Sequence, residues 1–230
     1  MRVISKTYYT PEIVRMEVEA PEVAAKASAG QFVVLIPSEG GERIPSAIAD
    51  WDKQKGTITV IFQNTGSSTE KLASLEPGEE IAHLLGPSGE AARTAGYSRV
   101  VCVGEGIGIA ELYPVVRAFK EAGSRVVSIL GARSRGLLIL EAAMREVSGE
   151  LIVVTEDGSY GSKGLVTDAL KGILSCVENS THNVYPELIY AIGPAPMMQA
   201  VSELSLGYGI KAIVSEQIDK YWKKEEARKL

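Results

Sequence analysis

The spacing of apolar residues changes about 90 residues into the chain, and this change most constrains the fold. Before it, short segments rich in Val, Ile and Tyr alternate apolar with polar residues, and Pro, Gly and charged clusters separate them. A period of two is typical of strands, and six such segments favour a small antiparallel barrel. The segments are RVISKTYYT, EIVRMEVEA, QFVVLIP, RIPSAIADW, TITVIFQ and EEIAHLLG, with a short helix expected in GSSTEKLASLEPG.

From about Tyr97 onward, apolar runs alternate with helix-length amphipathic segments. This alternation indicates βαβ units, and we expect a five-stranded, parallel, doubly wound sheet that binds a nucleotide. The stretch EAARTAGYS is small and polar, as a linker should be, and gives domains at 1–93 and 98–230. The expected strands are RVVCVG, RVVSILGA, ELIVVTE, ELIYAIG and IKAIVS, and the expected helices are 107–122, 136–147, 163–177 and 196–206.

Composition excludes several classes of function. The net charge of -5 argues against a nucleic-acid partner, because a phosphate-backbone binder concentrates Lys and Arg on one surface. No apolar stretch reaches the roughly 18 to 20 residues that a membrane span requires. The first residues alternate polar with apolar and form no signal-peptide core, so we expect a cytoplasmic protein.

Cysteine and histidine are too sparse for a metal centre. Cys102 and Cys176 lie in apolar runs and are predicted to be small core residues. His83 and His182 have no second His, Cys or paired carboxylate at ligand spacing. We therefore predict no metal site.

A glycine loop, VGEGIGIAELYP, follows the first expected parallel strand. Loops of this kind bring backbone N–H groups and a helix N-terminus to a phosphate, yet Glu105 stands in its middle. At about 5 Å and an effective dielectric of about 20, that carboxylate repels a phosphate charge by about 3 kcal/mol. Glu111 favours the helix itself by compensating its dipole. Either these carboxylates disable the site, or Glu105 points to solvent or accepts a ribose hydroxyl and the loop still binds.

Three further segments follow expected strands. In GARSRG, two arginines either pair with a ribose 2′-phosphate or are solvated surface residues. EDGSYGSKG offers hydrogen-bond donors in a turn, and in GPAPMM the methionines are either core residues or the floor for a flat ring. The candidate nucleotide-binding residues are Gly104, Gly106, Gly108, Arg133, Ser134, Arg135, Asp157, Gly158, Tyr160, Gly193, Pro194 and Met197.

The order of these motifs resembles the ferredoxin–NADP reductase superfamily. RIPSAIAD, GPSG, GEGIGIAELYP, GARS, DGSYG and GPAPMM follow one another over residues 1 to about 215. More narrowly, the chain resembles dihydroorotate dehydrogenase electron-transfer subunits and the small subunits of NADH-dependent ferredoxin:NADP oxidoreductases. The resemblance implies a Greek-key barrel that holds FAD, a second domain that binds NADP or NAD, and hydride transfer between nicotinamide and flavin.

The resemblance also implies which residues meet the flavin. Residues 43–48 would lie along it, with Arg43 at the pyrophosphate and a hydroxyl residue at the ring, while residues 66–69 would begin the phosphate-binding helix. A guanidinium fork and a capped helix N-terminus are both anion-binding devices. The candidate FAD-binding residues are Arg43, Pro45, Ser46, Ala47, Gly66, Ser67, Ser68 and Thr69.

Four departures from the family pattern bear on function. Ala47 stands where the family has Thr or Ser, so the ring loses a hydrogen bond unless Ser46 supplies it. Ser67 stands where Lys or Arg is common, and Glu105 and Glu111 stand where the family has Gly and Pro. The family's four-cysteine lobe has no counterpart here, and two cysteines cannot hold a Cys₄ cluster, so we expect no [2Fe–2S] cluster in this chain.

These observations predict an FAD-dependent oxidoreductase subunit that passes electrons between NAD(P)H and a partner redox subunit. The alternative is a pseudo-reductase that has kept the fold as a structural or regulatory subunit. A dehydrogenase with its own substrate is disfavoured, since no catalytic acid or base is identifiable. In the tail EQIDKYWKKEEARKL, Ile218, Tyr221 and Trp222 at helical spacing form either a docking patch or a helix packed on its own sheet.

Overall fold

The computed structural model describes residues 1–178, 185–215 and Ile218. His182, Tyr221 and Trp222 lie outside the described residues. The described chain divides into two compact units, Met1–Ala92 and Arg93–Ser215. In this part of the chain, no helix is long and apolar enough to cross a membrane, and no group of three His, Cys, Asp or Glu side chains is placed to hold a metal ion.

The first unit is a six-stranded antiparallel sheet in the order β1-β2-β5-β4-β3-β6. Three consecutive strands, β3 to β5, pair in sequence and β6 returns beside β3, which is the Greek-key arrangement. The predicted strands and the helix after β5 are confirmed, but the short α1, which begins with a proline, was not predicted. The elements are β1 (Val3–Thr10), β2 (Ile13–Glu19), α1 (Pro21–Lys26), β3 (Phe32–Ile36), β4 (Ile44–Asp52), β5 (Thr57–Gln63), α2 (Ser67–Ser74) and β6 (His83–Ser88).

Alternate strand residues fill the core of this unit, as the period of two requires. Helix α2 joins that core through Leu72, which is fully buried. From β1, the Lys6 ammonium donates to the Ala73 carbonyl at 2.9 Å and pairs with Glu76 at 2.7 Å. Helix α2 is therefore fixed near its C-terminal end, while its N-terminal end points away from these contacts.

The second unit is a parallel sheet in the order β10-β9-β8-β7-β11-β12. The doubly wound fold is confirmed, but the strand count of five was wrong, because the two-residue β10 is too short to carry an apolar pattern. The elements are β7 (Arg99–Glu105), α3 (Gly108–Glu121), β8 (Arg125–Ala132), a 3₁₀ turn (Arg135–Leu137), α4 (Glu141–Val147), β9 (Glu150–Thr155), β10 (Ser162–Lys163), α5 (Val166–Glu178), β11 (Leu188–Ile192), α6 (Ala195–Gly207) and β12 (Lys211–Val214).

The strand order reverses between β7 and β11. From β7 the chain builds outward through β8 and β9 and then returns to add β11 on the other side. In open parallel sheets, such a reversal leaves a crevice at the carboxyl ends of the strands, where ligands bind. The glycine loop after β7 lies at this position.

The two cysteines differ in environment. Cys102 on β7 is fully buried, and burial raises the pKa of its thiol far above the usual range. Cys176 is exposed near the end of α5, so the prediction that both are core residues was wrong for this one. The apolar run around Cys176 belongs to an amphipathic helix, and this residue falls on its rim rather than its buried stripe.

Candidate functional site

The N-terminus of α2 is the candidate anion-binding feature of the first unit. Gly66 precedes the helix with extended backbone, and Thr69 Oγ1 accepts hydrogen bonds from the N–H groups of Gly66 at 3.0 Å and Thr65 at 3.1 Å. The N–H groups of the first helical turn have no partner within the helix and carry its positive dipole end. A Cβ at Gly66 would meet no atom within 4 Å, so the space beside them is open.

A carboxylate of this chain reaches the same helix end. The Ser68 hydroxyl donates a hydrogen bond to Oε2 of Glu42, which lies in the exposed loop before β4. Arg43 follows directly and is also exposed. Sequence reasoning singled out Arg43 and Ser68 but missed Glu42, because only the loop conformation brings residues 26 positions apart together.

The register of β4 separates its candidate residues onto two faces. Ser46 lies opposite Val33 on β3, and Ala47 lies opposite Phe32. Opposed residues in an antiparallel pair project to the same face. Val33 belongs to the buried core, so Ser46 faces that core, with its Oγ buried and without a hydrogen-bond partner in the described chain.

Pro45 and Ala47 project to the opposite face from Ser46. The hydroxyl of Ser46 therefore does not lie on the face that carries Ala47. This placement argues against Ser46 as a replacement for the missing family hydroxyl.

In the second unit, the three glycines of the loop have different structural roles. Gly106 has φ +58°, which suits a residue without Cβ, and its N–H donates to the Gly131 carbonyl at 3.1 Å. A Cβ at Gly104 would lie 2.8 Å from Leu112, and one at Gly108 would lie 2.6 Å from the Ile192 carbonyl oxygen. Gly104 and Gly108 thus let α3 pack closely on the sheet, whereas Gly106 makes the turn and borders open space.

Glu105 lies along the carboxyl edge of the sheet. A Cβ at Gly131 on β8 would sit 3.4 Å from Glu105 Cγ and 3.7 Å from Oε2, and a Cβ at Gly193 would sit 3.2 Å from Glu105 Cβ. The two glycines therefore make room for this half-buried side chain, which does not simply point into solvent.

The charge state of Glu105 is perturbed by its surroundings. Burial raises the pKa of its carboxyl, the negative charge of Glu156 raises it further, and Arg133 opposes the shift. Glu105 does not have a positive φ and so carries no strain of that kind. In the described chain, the non-glycine residue with a positive φ is Leu140. Glu111 lies in the first turn of α3, where a carboxylate compensates the helix dipole.

The loops after β8 and β9 bring several candidates together. The N–H of Arg135 donates to Ser159 Oγ at 2.9 Å, and that hydroxyl donates to Asp157 at 2.6 Å, which lowers the pKa of Asp157. The Arg135 guanidinium lies 5.0 Å from the ring centroid of Tyr160, whose hydroxyl donates to Glu141 at 2.9 Å. Arg135 is thus held by a cation–π contact rather than left as an unordered surface side chain.

In the segment after β11, the two methionines are buried, whereas residues 194–196 are exposed. Pro194 caps α6, and both Met197 and Met198 belong to the buried core. Met197 packs over Gly193, next to Glu105. Of the two interpretations for these methionines, the structure favours core residues.

Comparison with known proteins agrees with this architecture. No family model matches the chain. It is 33% identical over 213 residues to the dihydroorotate dehydrogenase B (NAD(+)) electron transfer subunit homolog of Thermotoga maritima, covering 93% of this chain and 73% of that one. The chain belongs to the family of dihydroorotate dehydrogenase B electron-transfer subunits and their homologues. The resemblance inferred from the ordered motifs is thereby confirmed.

Three further proteins resemble this chain in sequence or structure. An uncharacterized protein in the adh 3′ region of Clostridium beijerinckii is 38% identical over 221 residues, covering 93% of this chain and 73% of that one. The solved structure of an NADH-dependent reduced ferredoxin-NADP oxidoreductase matches with a TM-score of 0.84 and 30% identity, covering 93% of this chain and 75% of that one. A ferredoxin NADP+ reductase from Neisseria gonorrhoeae shares the fold, with a TM-score of 0.75 at 17% identity, 93% of this chain and 96% of that one.

Proposed function

We propose that this electron-transfer subunit holds FAD on its first unit and passes electrons between NAD(P)H and a partner redox protein. The observation that carries the proposal is the N-terminus of α2, which borders open space with Arg43 and Ser68 nearby, in a chain of this family. When bound, a flavin accepts a hydride from reduced nicotinamide and passes the electrons on.

Binding on the first unit follows from charge. The N–H groups of α2 and the Arg43 guanidinium favour a pyrophosphate, which supports a dinucleotide flavin over FMN. Ser67 contributes no positive charge here, so Arg43 supplies a larger share of the positive charge that attracts the pyrophosphate. Pro45 and Ala47 are buried and carry no hydroxyl, so we expect ring recognition to rest on other groups.

For the nucleotide, the end of β8 favours NADPH over NADH. The segment GARSRG contains no carboxylate to accept a ribose 2′-hydroxyl, whereas Arg133, Ser134 and Arg135 are suited to a 2′-phosphate. The contact with Tyr160 orders the Arg135 guanidinium near the Asp157–Gly158 turn. We expect Arg135→Gln to lower the affinity for NADPH more than the affinity for NADH.

A partner is part of the proposal. With Cys102 and Cys176 as its cysteines, this sequence offers no Cys₄ set for an iron–sulfur cluster. We place the electron acceptor on another subunit of a cytoplasmic complex. The relatives are named as electron transfer subunits, which supports this assignment.

One observation favours a second candidate, a structural or regulatory subunit with impaired nucleotide binding. Glu105 fills part of the crevice with a carboxylate, close to the site where a pyrophosphate would meet α3. A permanently charged Glu105 would oppose that ligand.

Purified protein separates the two candidates. The electron-transfer function predicts visible flavin absorbance, or its recovery on adding FAD, and bleaching by NADPH or NADH under anaerobic conditions. A colourless protein that takes up no FAD would refute it and favour the structural subunit. Flavin that neither nucleotide reduces would refute the nucleotide assignment alone.

A further inference from the structure

The backbone around Glu105 is tied to the sheet on both sides. Glu105 pairs with Gly131 on β8, and its neighbour Gly104 pairs with Ile192 on β11. The next residue, Gly106, also bonds to Gly131 through its N–H. The loop therefore cannot carry the Glu105 side chain away from the crevice without breaking the central strand pairing.

The side chain itself lies next to two glycines. It lies over Gly131 and beside Gly193, and Met197 covers Gly193 on the α6 side. Its half-buried position leaves the carboxyl close to whatever enters the crevice at the end of β7. The carboxyl of Glu105 therefore lies at the crevice, on a strand end that is fixed there.

Charged groups of both signs lie around Glu105. Glu156 follows β9, Arg133 follows β8, and Glu111 lies in the first turn of α3. The first turn of α6 has no acidic or basic residue. On α5, Asp168 accepts a hydrogen bond from the Leu165 N–H. Burial and Glu156 raise the pKa of Glu105, so its neutral form is already favoured relative to an exposed glutamate.

A bound pyrophosphate adds negative charge to this setting. Protonation of the carboxyl removes the repulsion while the side chain keeps its half-buried position. We propose that nucleotide binding at this crevice is coupled to the uptake of one proton by the Glu105 carboxyl. The proton comes from solvent, converts the carboxylate to the acid, and returns to solvent when the nucleotide leaves. This inference rests on the proposed function of the second unit.

The coupling has a definite sign and size. The free site is charged above the pKa of Glu105, and bound phosphate raises that pKa further. If the repulsion weakens nucleotide binding about a hundredfold, the bound nucleotide raises the pKa of Glu105 by about two units. Between the free and the bound pKa, the dissociation constant should rise about tenfold per pH unit. Below this window binding is tighter and independent of pH, and above it binding is weak.

Calorimetric titration of the full chain with NADH tests the coupling. At one pH, titrations in buffers of different ionisation enthalpy give the number of protons taken up per nucleotide bound. NADH is the probe because it lacks the 2′-phosphate, which itself titrates near neutral pH. The wild type should take up close to one proton inside the window, and Glu105→Gln close to none.

Two variants complete the design. Glu121→Gln removes an exposed carboxylate at the far end of α3 and should leave the proton uptake unchanged. Glu105→Gly removes the carboxyl altogether and should bind NADH tightly across the whole pH range. Proton uptake that persists in Glu105→Gln, or NADH binding to the wild type without uptake at any pH, would overturn the inference. Absence of NADH binding in the wild type and all variants would instead overturn the nucleotide site, and the inference with it.

Discussion

Each unit presents a helix N-terminus to an anion, and at each one a glutamate of the chain is already nearby. At α2 the glutamate is Glu42, on an exposed loop and joined to the helix by the Ser68 hydroxyl. At α3 it is Glu105, at the end of the central strand and half-buried against two glycines. The first carboxylate is exposed, whereas the second is half-buried at a strand end that is paired on both sides. The same residue type therefore leads to two different ways of admitting a phosphate.

The energies differ accordingly. Moving Glu42 away costs one exposed hydrogen bond, which contributes about 0.5–1.5 kcal/mol at most. A charged Glu105 would oppose a phosphate by about 3 kcal/mol at about 5 Å, and in the proposed coupling a proton relieves this. Flavin binding should thus be nearly independent of pH, while nucleotide binding should depend on it steeply.

The largest effect should come from Arg43→Ala. A bidentate guanidinium–phosphate contact is not replaced by Ser67, so FAD affinity should fall about a hundredfold or more. Equilibrium titration of the apoprotein with FAD measures the loss. Lys53→Ala, at an exposed turn of the same unit, is the matched control, and unchanged FAD affinity in Arg43→Ala would remove this residue from the site.

Glu105→Gly should rank next. Without the carboxylate, NADH and NADPH should bind at least tenfold more tightly at pH 8, since about 3 kcal/mol of repulsion is removed. The gain should shrink in high salt as far as the site is exposed to solvent. Titrations of both proteins at two salt concentrations test this, and equal affinities would mean that the carboxylate does not face the phosphates.

Glu42→Gln should have a smaller effect of the same sign on the flavin. Removing an exposed, displaceable charge from the end of α2 should tighten FAD binding severalfold at low salt and less at high salt. FAD titrations of wild type, Glu42→Gln and Glu39→Gln provide the comparison, because Glu39 lies in the same loop and contacts His83 instead. Weaker FAD binding by Glu42→Gln would show that Glu42 helps to hold the flavin.

Lys6→Met should have the smallest effect on binding. Losing the hydrogen bond to the Ala73 carbonyl loosens the C-terminal end of α2 and should lower the stability of the first unit by about 1–2 kcal/mol. Denaturant unfolding measures this loss, and FAD affinity should change less than twofold. A large loss of FAD affinity would mean that the orientation of α2 depends on this anchor.

Much of the fold could be read from the sequence because each half keeps one hydrophobic period. The sequence also located the glycine loop and the arginines after β8, since both follow strongly apolar strands. It missed β10 and α1, which are too short to show a period. It could not assign the face of Ser46, because that depends on pairing with Val33 on another strand.

The two glutamates also show that side-chain positions at the candidate sites depend on residues distant in sequence. Glu105 was visible in the sequence as an exception in a glycine loop, but its orientation depends on space left by Gly131 and Gly193, which come from other strands. Glu42 gave no such signal, since a charged residue in a loop is ordinary. Its position beside Ser68 arises only when the loop before β4 folds toward α2.

Anaerobic reduction of the FAD-reconstituted protein tests the central claim most directly. We predict that one flavin binds per chain, that NADPH or NADH bleaches it completely, and that lower nucleotide concentrations suffice at pH 6 than at pH 8. A protein that binds no FAD would contradict the proposed flavin-dependent electron transfer, and a bound flavin that neither nucleotide reduces at either pH would contradict the nucleotide assignment.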